Sequence, residues 1–442
     1  MPRDSMIATV SVIGLGYVGL PTAAAFASRG VEVIGVDTNP DIVASVNRGA
    51  AHIAEPGLDD LLRVAVAAGR LRATQEPEPA SAFLIAVPTP LAADGSGPDL
   101  SYVEAASRAI APLLTHGNLV VLESTSPVGT TEHMAAQLAA LRPDLKFPQQ
   151  NADNPDVSVA YCPERVLPGR AMHEIISNDR VIGGITARCA AAAKALYETI
   201  VEGACLVTDV RTAEMCKLAE NTFRDVTIAY ANELSRICEK LRIDVWELIA
   251  LANRHPRVHI LRPGAGVGGH CIAVDPWFLV ASAPEEAHLI RAARETNDAK
   301  PAWVLERVRA AVARCEREIG KAPSVAVLGL AFKPDIDDLR ESPAVGIAEA
   351  LRGVHGEKLI IVEPHIRALP AALAGCRMMM FDAALAEADV VVVLVQHRAF
   401  ATLAHVQLRR GAQIVDVVGL LADVRTHVAP LTTARVAAVA AE

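Results

Sequence analysis

The chain opens with apolar residues in continuous rather than alternating blocks. "ATVSVIGLG" (Ala8 to Gly16) reads as a strand buried on both faces, "YVGLPTAAAFASRG" as a helix ending at Gly30, and "VEVIGVD" as a second buried strand. Together they predict a βαβ unit. Apolar runs recur at "AFLIAVPTP", "GNLVVLEST" and "VSVAYCPE", separated by helical patterns such as "LDDLLRVAVAAG" and "LSYVEAASRAIAPLL". Such alternation predicts a parallel sheet covered by helices on both faces.

The pattern changes near Asp209. "RTAEMCKLAENTFRDVTIAYANELSRICEKLR" keeps helical periodicity without a Gly or Pro, and "DVWELIALAN" adds a second helical block. A glycine-rich loop follows, and then "EAHLIRAARETNDAKPAWVLERVRAAVARCERE", helical again and interrupted at Pro301. Helices of this length commonly carry a subunit interface. At Pro323 the βαβ pattern restarts with "SVAVLGLAF", a helix over "SPAVGIAEALRG", "KLIIVEPH", "ADVVVVLVQH" and "AQIVDVVG". The expected architecture is α/β: two doubly wound, Rossmann-like parallel sheets joined by a central helical segment. The expected boundaries are 1–208, 209–321 and 322–442, with "ARVAAVAAE" as a loose tail.

Length and composition narrow the class. At 442 residues the chain is too long for one core, and 52% apolar with 21% charged residues describes a soluble globular protein. The run "VVVVLV" falls short of the roughly 18 residues a membrane helix needs. The N-terminus passes into a strand pattern without a cleavable signal, which leads to the expectation of a cytoplasmic protein. A net charge of −9 disfavours nucleic acid and anionic membranes as partners. Eight cysteines with no CxxC pair, and none with His at zinc-ligand spacing, suggest free thiols and no metal site.

"GLGYVG" (Gly14 to Gly19) is a GxGxxG between a strand and a helix. Gly14 suits the tight turn, Gly16 lets the backbone approach a pyrophosphate, and Gly19 lets helix and strand pack closely, with Tyr17 and Val18 between them. Asp37 stands at the tip of the second strand, where a carboxylate can bind both ribose hydroxyls. Thr38 and Asn39 follow it with no arginine for a 2′-phosphate, so NAD is expected over NADP. Thr89 in "VPTP" and Thr125 in "ESTSPVGTT" follow strands and are placed to line that cleft; turn and cap roles explain them equally well.

"KLAEN" sets Lys217 and Asn221 on one helical face, with Arg224 further on. The solvated stripe of an amphipathic helix accounts for them too. "GAGVGGHCIAVDPWF" sets Cys271 behind Gly268, Gly269 and His270, where a packing thiol is not expected. Glycines leave room for a substrate against the main chain, and a thiolate beside a cation is a nucleophile. A helical turn after the loop would carry Cys271 and Asp275 side by side.

In combination, "GLGYVG", "EPGLDDLL", "ESTSPVGTT", "CPERVLPGR", "KLAENTFRD", "HPRV", "GVGGHCIAVDPWF" and "GLAFKPDIDDLRESPA" resemble the UDP-glucose/GDP-mannose dehydrogenase family over nearly the whole chain. The likeness is strongest to its branch acting on UDP-N-acetyl-D-mannosamine. The resemblance implies a four-electron oxidation of a sugar C6 alcohol to a carboxylate with NAD, through a thiohemiacetal and a thioester on Cys271. It implies that Lys217 and Asn221 stabilise the oxyanion, that Asp275 handles protons, and that Glu164 with Thr125 serves thioester hydrolysis; a substrate-positioning role for Glu164 is the alternative. It implies UDP-sugar contacts from Arg165, Val166, Lys217, Asn221, Arg224, His255, Arg257, Gly266, Phe332 and Lys333, and an NAD contact from Arg340. The His255 and Arg257 loop implies a homodimer with a shared active site. Pro168 stands where the UDP-glucose branch has a second acidic residue, a departure typical of the N-acetylmannosamine pattern. Gln396 also stands where an acidic residue is expected, and "VDVVGLL" is unusual for the last strand. Open alternatives are the same oxidation of UDP-N-acetylglucosamine, UDP-glucose or GDP-mannose, a two-electron alcohol dehydrogenase, and a non-catalytic nucleotide sensor. The implied product, a UDP-linked uronic acid, would feed surface polysaccharide assembly.

Overall fold

The first strand pairs on both sides at once, which is why its sequence carries no polar face. In the computed structural model, which describes residues 8–92, 97–167, 169–269, 271–406 and 408–422, β1 (Thr9–Ile13) lies parallel between β2 (Glu32–Val36) and the strand Ala82–Ile85. Pro168, His270 and the "ARVAAVAAE" tail lie outside the described residues. With β3 (Leu71–Thr74), β4 (Ala82–Ile85), β5 (Leu119–Leu122), β6 (Ser158–Tyr161), β7 (Arg180–Gly184) and β8 (Cys205–Asp209), the sheet has the order β3-β2-β1-β4-β5-β6-β7-β8. Alternate residues feed opposite layers. Val10, Val12, Leu84 and Val121 pack with Leu20 and Ala24 of helix Gly19–Ser28, while Ile13, Phe83, Ile85 and Val120 pack with Met134 and Leu138 of helix Thr130–Leu141. Each fully buried aliphatic or aromatic side chain contributes about 1.5–3 kcal/mol.

The sheet departs from the expected all-parallel form at one place. β7 pairs antiparallel with β6, matching Ala160 to Gly184 and Tyr161 to Gly183, and β8 then runs parallel to β7. Between β6 and β7 the chain makes only a 7-residue helix, Ala171–Ser177, and doubles back instead of crossing over. Gly183 and Gly184 have no room for a side chain; a Cβ on Gly184 would lie 2.4 Å from the Ala190 nitrogen.

The chain divides into two compact units, Met1–Thr222 with Val274–His288 and Phe223–Ala273 with Leu289–Glu442. It passes from one to the other inside helix Val210–Leu241, whose 32 residues span about 48 Å. Pro301 sits in the first turn of helix Lys300–Ile319, where its missing N–H does no harm, and the break from helix His288–Asp298 falls at Ala299.

The second unit holds β9 (Val325–Leu328), β10 (Leu359–Val362), β11 (Arg377–Met378), β12 (Val390–Val393) and β13 (Gln413–Asp416), all parallel in the order β11-β10-β9-β12-β13. Helices Lys300–Ile319 and Pro343–His355 cover one face through Val304, Val308, Ile347 and Leu351. Gly329 follows β9 with φ +92°, as Gly14 follows β1 with φ +93°. Glu363 follows β10 as Asp37 follows β2, but its oxygens are fully engaged. Oε2 accepts the Leu330 and Ala331 N–H groups and faces His397 Nε2 at 3.1 Å, while Oε1 accepts the His365 N–H. The odd "VDVVGLL" also finds its reason, since the Asp416 carboxylate accepts the N–H groups of Gly419 and Leu421.

Two glycine substitutions test this packing. Gly184→Ala is expected to lower stability by about 1–3 kcal/mol through overpacking. Gly346→Ala, on an exposed helical position with nothing within 4 Å, is expected to be neutral or to stabilise by up to about 1 kcal/mol. Thermal melts of the two variants beside the parent decide; equal midpoints for all three would contradict the close contact at Gly184.

Candidate active site

The turn after β1 is shaped by what its glycines touch. A Cβ on Gly14 would lie 2.6 Å from the Ala86 carbonyl oxygen, and one on Gly19 would lie 1.8 Å from that of Gly14. Gly16 meets nothing within 4 Å, so its face of the turn is open. Helix Gly19–Ser28 starts there with no side-chain cap and no acidic residue in its first turn, which leaves the positive end of its dipole uncompensated. Asp37 is fixed at the β2 tip: Oδ2 accepts the Leu15 N–H (3.0 Å) and Oδ1 the Asn39 N–H (2.9 Å). A cradle that a side chain at Gly16 would fill, an uncapped helix start and a fixed carboxylate fit the pyrophosphate and ribose of NAD. Tyr17 is exposed, and Val18 occupies the helix cap position.

Thr89 and Thr125 join the neighbouring strand ends, the Thr89 hydroxyl donating to the Thr125 carbonyl at 2.6 Å. A buried glutamate unforeseen in the sequence, Glu214, caps helix Thr130–Leu141 by accepting the N–H groups of Gly129 (2.6 Å) and Thr131 (2.8 Å). On helix Val210–Leu241, Asn221 Nδ2 donates to Asp275 Oδ2 at 2.5 Å, one turn from Lys217. Burial pushes the Asp275 carboxyl up to about 6, against the opposing pull of the Asn221 bond and the Lys217 charge. Lys217, Asn221 and Asp275 thus form one group in the first unit, with the Asp275 carboxyl raised well above its ordinary range. The expected helical turn carrying both Cys271 and Asp275 is absent. Residues 271–274 are non-helical turns and the helix begins at Asp275, because Pro276 in the first turn cannot be preceded by further helix.

Glu164 is buried, with Oε2 3.0 Å from Arg180 Nη2 and Oε1 accepting the Arg165 N–H at 2.7 Å. Arg180 opens β7 at 2% exposure and lies 5.5 Å from the centre of the Tyr197 ring. The Tyr197 hydroxyl donates to Glu123 Oε1 at 2.6 Å. Burial drives Glu123 up to about 7 despite the nearby Arg180 charge, and drives the neighbouring Cys162 thiol up to about 12. Sequence reasoning missed Arg180, Glu123 and Tyr197; the available signal was an arginine in the otherwise apolar strand "RVIGG". The Arg165 guanidinium, expected at a phosphate, is tied to Glu220 (2.5 and 3.1 Å) and to the Asp179 carbonyl, while Val166 packs on the first core layer.

In the second unit the cysteine loop is pinned rather than loose. The Gly264 N–H donates to Asn232 Oδ1 (2.9 Å), Asn232 Nδ2 to Asn297 Oδ1 (2.9 Å), Asn297 Nδ2 to Asp225 Oδ1 (2.8 Å), and Arg294 closes the chain onto Asp225 (2.6 Å). The room that the glycines were expected to leave for substrate is partly taken. A Cβ on Gly268 would lie 2.6 Å from the Glu341 carbonyl, one on Gly269 would lie 2.9 Å from the Phe332 ring, and one on Gly266 would lie 3.0 Å from Pro343. The Gly269 N–H donates to the Arg340 carbonyl, whose guanidinium pairs with Asp338 at 2.6 Å. At the end of this pinned loop Cys271 is exposed, whereas Cys162, Cys189, Cys238 and Cys315 are buried and Cys205, Cys216 and Cys376 are half-buried. Lys333 is half-buried, and Arg224, His255 and Arg257 are exposed. Gln396 accepts a bond from Arg262.

Native-state alkylation with iodoacetamide is expected to label Cys271 first, read by peptide mass mapping; faster labelling of Cys205, Cys216 or Cys376 would contradict the exposure pattern. Asn232→Ala strands the Gly264 amide and is expected to cost about 1–3 kcal/mol and to change the Cys271 labelling rate. A carboxyl raised on folding holds its proton while the unfolded chain releases it, so Asp275 lowers stability as pH climbs from about 4 to about 6. Asp275→Asn therefore gains thermal stability over the parent across that interval, and an unchanged difference would remove Asp275 as its source.

Comparison with known proteins identifies the family. The UDP-glucose/GDP-mannose dehydrogenase family matches in three consecutive parts: its NAD binding domain at residues 8–201, its central domain at 211–299 and its UDP binding domain at 326–423. The chain is 61% identical over 396 residues to a UDP-N-acetyl-D-mannosamine dehydrogenase of Salmonella typhi, covering 89% of this chain and 94% of that one. It is 60% identical over 395 residues to an NDP-N-acetyl-D-galactosaminuronic acid dehydrogenase of Ralstonia nicotianae, covering 89% and 92%. Among solved structures, that of a UDP-D-ManNAc dehydrogenase from Pyrococcus horikoshii superposes with a TM-score of 0.82 at 38% identity, covering 93% of this chain and 96% of the other. With a glycine turn and a fixed carboxylate that fit NAD, and the family's three domains matched in order, the chain belongs to the UDP-glucose/GDP-mannose dehydrogenase family and is an NAD-dependent dehydrogenase.

Proposed function

We propose that the protein oxidises the C6 alcohol of UDP-N-acetyl-D-mannosamine to the carboxylate in two steps at one site, retaining the intermediate aldehyde on Cys271. The observation that carries the reading is the exposure of Cys271 at the end of a braced glycine loop, among eight cysteines outside any disulfide of which the rest are wholly or partly buried. Identity of 61% to a relative named for that substrate supports the choice of sugar.

Gly14, Gly16, Tyr17, Val18, Gly19, Asp37, Thr89 and Arg340 would hold NAD; bound there, NAD supplies the hydride acceptor for each oxidation. The Cys271 thiolate adds to the C6 aldehyde, forming the carbon–sulfur bond of a thiohemiacetal. Lys217 and Asn221 donate to the oxygen on which charge develops. Asp275, raised to about 6 by burial and bonded to Asn221, exchanges the proton that this oxygen gains and loses. The second oxidation leaves a thioester, and Glu164 with Thr125 orients and deprotonates the water that cleaves it, restoring the thiol. Arg165, Arg224, His255, Arg257 and Lys333 supply cationic or donor groups for the diphosphate, and Val166, Gly266 and Phe332 line the nucleoside and sugar. On this reading Arg165 exchanges Glu220 for a phosphate when substrate binds.

The division into an NAD domain at 1–208, a central segment at 209–321 and a UDP domain at 322–442 belongs to the same proposal. So do a homodimer with a shared site, a cytoplasmic location, and a product destined for surface polysaccharide. No helix among the described residues is long and apolar enough to cross a membrane. A second reading keeps the chemistry and changes the sugar to an N-acetyl-D-galactosamine nucleotide, because a relative named for that uronic acid is 60% identical over the same share of the chain.

The deciding measurement is NADH formed per sugar consumed, with UDP-N-acetyl-D-mannosamine, UDP-N-acetyl-D-galactosamine, UDP-N-acetylglucosamine and UDP-glucose side by side. Two NADH per mannosamine nucleotide are expected, falling by at least about a hundredfold in rate in Cys271→Ala. Preference for the galactosamine nucleotide moves the protein to the second reading. One NADH per sugar, or a variant completing both oxidations, removes Cys271 from its role. No NADH with any sugar leaves nucleotide binding alone.

A further inference from the structure

The group around Glu164 holds one buried cation against two buried carboxylates, an imbalance that the oxidation chemistry above does not use. Arg180 and Glu164 form an ion pair at 2% and 7% side-chain exposure. Glu123 joins them through Tyr197, whose hydroxyl it accepts and whose ring lies beside the guanidinium. Among the described residues, Glu123 Oε2 makes no well-directed hydrogen bond, the Thr22 hydroxyl being its polar neighbour, and neither do the two terminal Arg180 nitrogens. Two ionised carboxylates beside one guanidinium would leave a net negative charge in a buried group, a costly state. One proton in the group removes it.

The fold explains why Arg180 is there. The antiparallel ladder matches 160 with 184 and 161 with 183; continued by the same rule beyond the last pair, it matches Glu164 with Arg180. A parallel β7 would present its other end at this place. Doubling back at β7 thus brings the first residue of one strand to the segment that follows its neighbour.

We propose that Arg180 and Glu123 are positioning residues for Glu164: the guanidinium aims and holds the Glu164 carboxylate, and Glu123 is a second, switchable counter-ion that sets how firmly Arg180 grips it. The inference rests on the reading of Glu164 as the group that serves thioester hydrolysis. With Glu123 protonated, Arg180 has Glu164 as its one ionised partner in the group. When Glu123 releases its proton, close to pH 7, Arg180 faces two negative charges and its hold on the Glu164 carboxylate is shared between them. The groups facing Glu123 are the Arg180 guanidinium, the Tyr197 hydroxyl, the Glu164 carboxylate, the Cys162 thiol and the Thr22 hydroxyl, the last from helix Gly19–Ser28. Of these, Arg180 is the cation. The thiol, held near 12, stays protonated throughout.

The test follows the thioester itself. Enzyme, NAD and UDP-N-acetyl-D-mannosamine are mixed, quenched at intervals, and the Cys271 adduct is followed by intact-protein mass across the neutral pH range. Glu164→Gln is expected to slow adduct decay by about a hundredfold, the scale of one general base. Arg180→Lys is expected to slow it by about tenfold with KM unchanged, and Arg180→Gln by more, as for loss of a charge-assisted hydrogen bond. Glu123→Gln is expected to remove the inflection of the decay rate near pH 7 while hydride transfer is unaffected. If Glu164→Gln slows decay but Arg180→Lys matches the parent and Glu123→Gln keeps the inflection, this proposal falls and the role of Glu164 stands. Decay in Glu164→Gln at the parental rate removes the role of Glu164 and this proposal with it. Should the arginine variants fail to fold, the pH profile of the near-isosteric Glu123→Gln decides alone.

Discussion

Parallel pairing of β1 with its neighbours is the constraint from which the first unit's site follows. Strands that run the same way deliver their carboxyl ends to one edge of the sheet, so whatever follows each strand gathers there. Gly14 follows β1, Asp37 follows β2, Thr89 lies just past β4, Glu123 and Thr125 follow β5, and Glu164 lies just past β6. Apart from Glu123 and Thr125, which share one segment, these residues are far apart in sequence, and no helix or loop has to reach far to bring them together. The apolar layers on both faces, from Val12 and Leu84 on one side to Phe83 and Val120 on the other, keep that edge in register.

The cysteine is served by a different device. On the proposed reading Cys271 is a nucleophile, which must be accessible, yet a mobile one loses the advantage of proximity. Here the loop's glycines bring backbone against Phe332, Pro343 and the Glu341 carbonyl, and its root is tied through Asn232 and Asn297 to the buried Asp225–Arg294 pair. Exposure at Cys271 and rigidity behind it are both met. The polar chain is buried and continuous, and removing one member strands the next.

Much of this was legible in the residues. Continuous apolar runs and a GxGxxG in a βαβ setting lead directly to the first sheet and its nucleotide turn, and a thiol behind glycines marks Cys271. The direction of β7 was not legible, because an apolar five-residue run reads alike in either direction and only its register with β6 distinguishes them. Arg180 was hidden with it. Asp225, Asn232 and Arg294 lie on helices where polar residues read as a solvated stripe; that they are buried against each other across 65 or more positions is a tertiary fact. The glycines of the cysteine loop carry a similar ambiguity, since freedom and close packing both call for the smallest residue, and here packing accounts for Gly268 and Gly269.

The second sheet repeats the first in outline and differs at its acidic residue. Glu363 stands where Asp37 stands in the first, but the His397 ring and the backbone amides of Leu330, Ala331 and His365 already occupy its oxygens. Anyone redesigning this half to accept a second dinucleotide would gain little by restoring a glycine to "GLAFK". The latch formed by Glu363 and His397 would have to be dismantled first, and its removal would leave buried amides in search of new acceptors. A half-fold that keeps a nucleotide-binding outline can in this way be committed to another ligand by a single internal bond pattern, with its strand order unchanged.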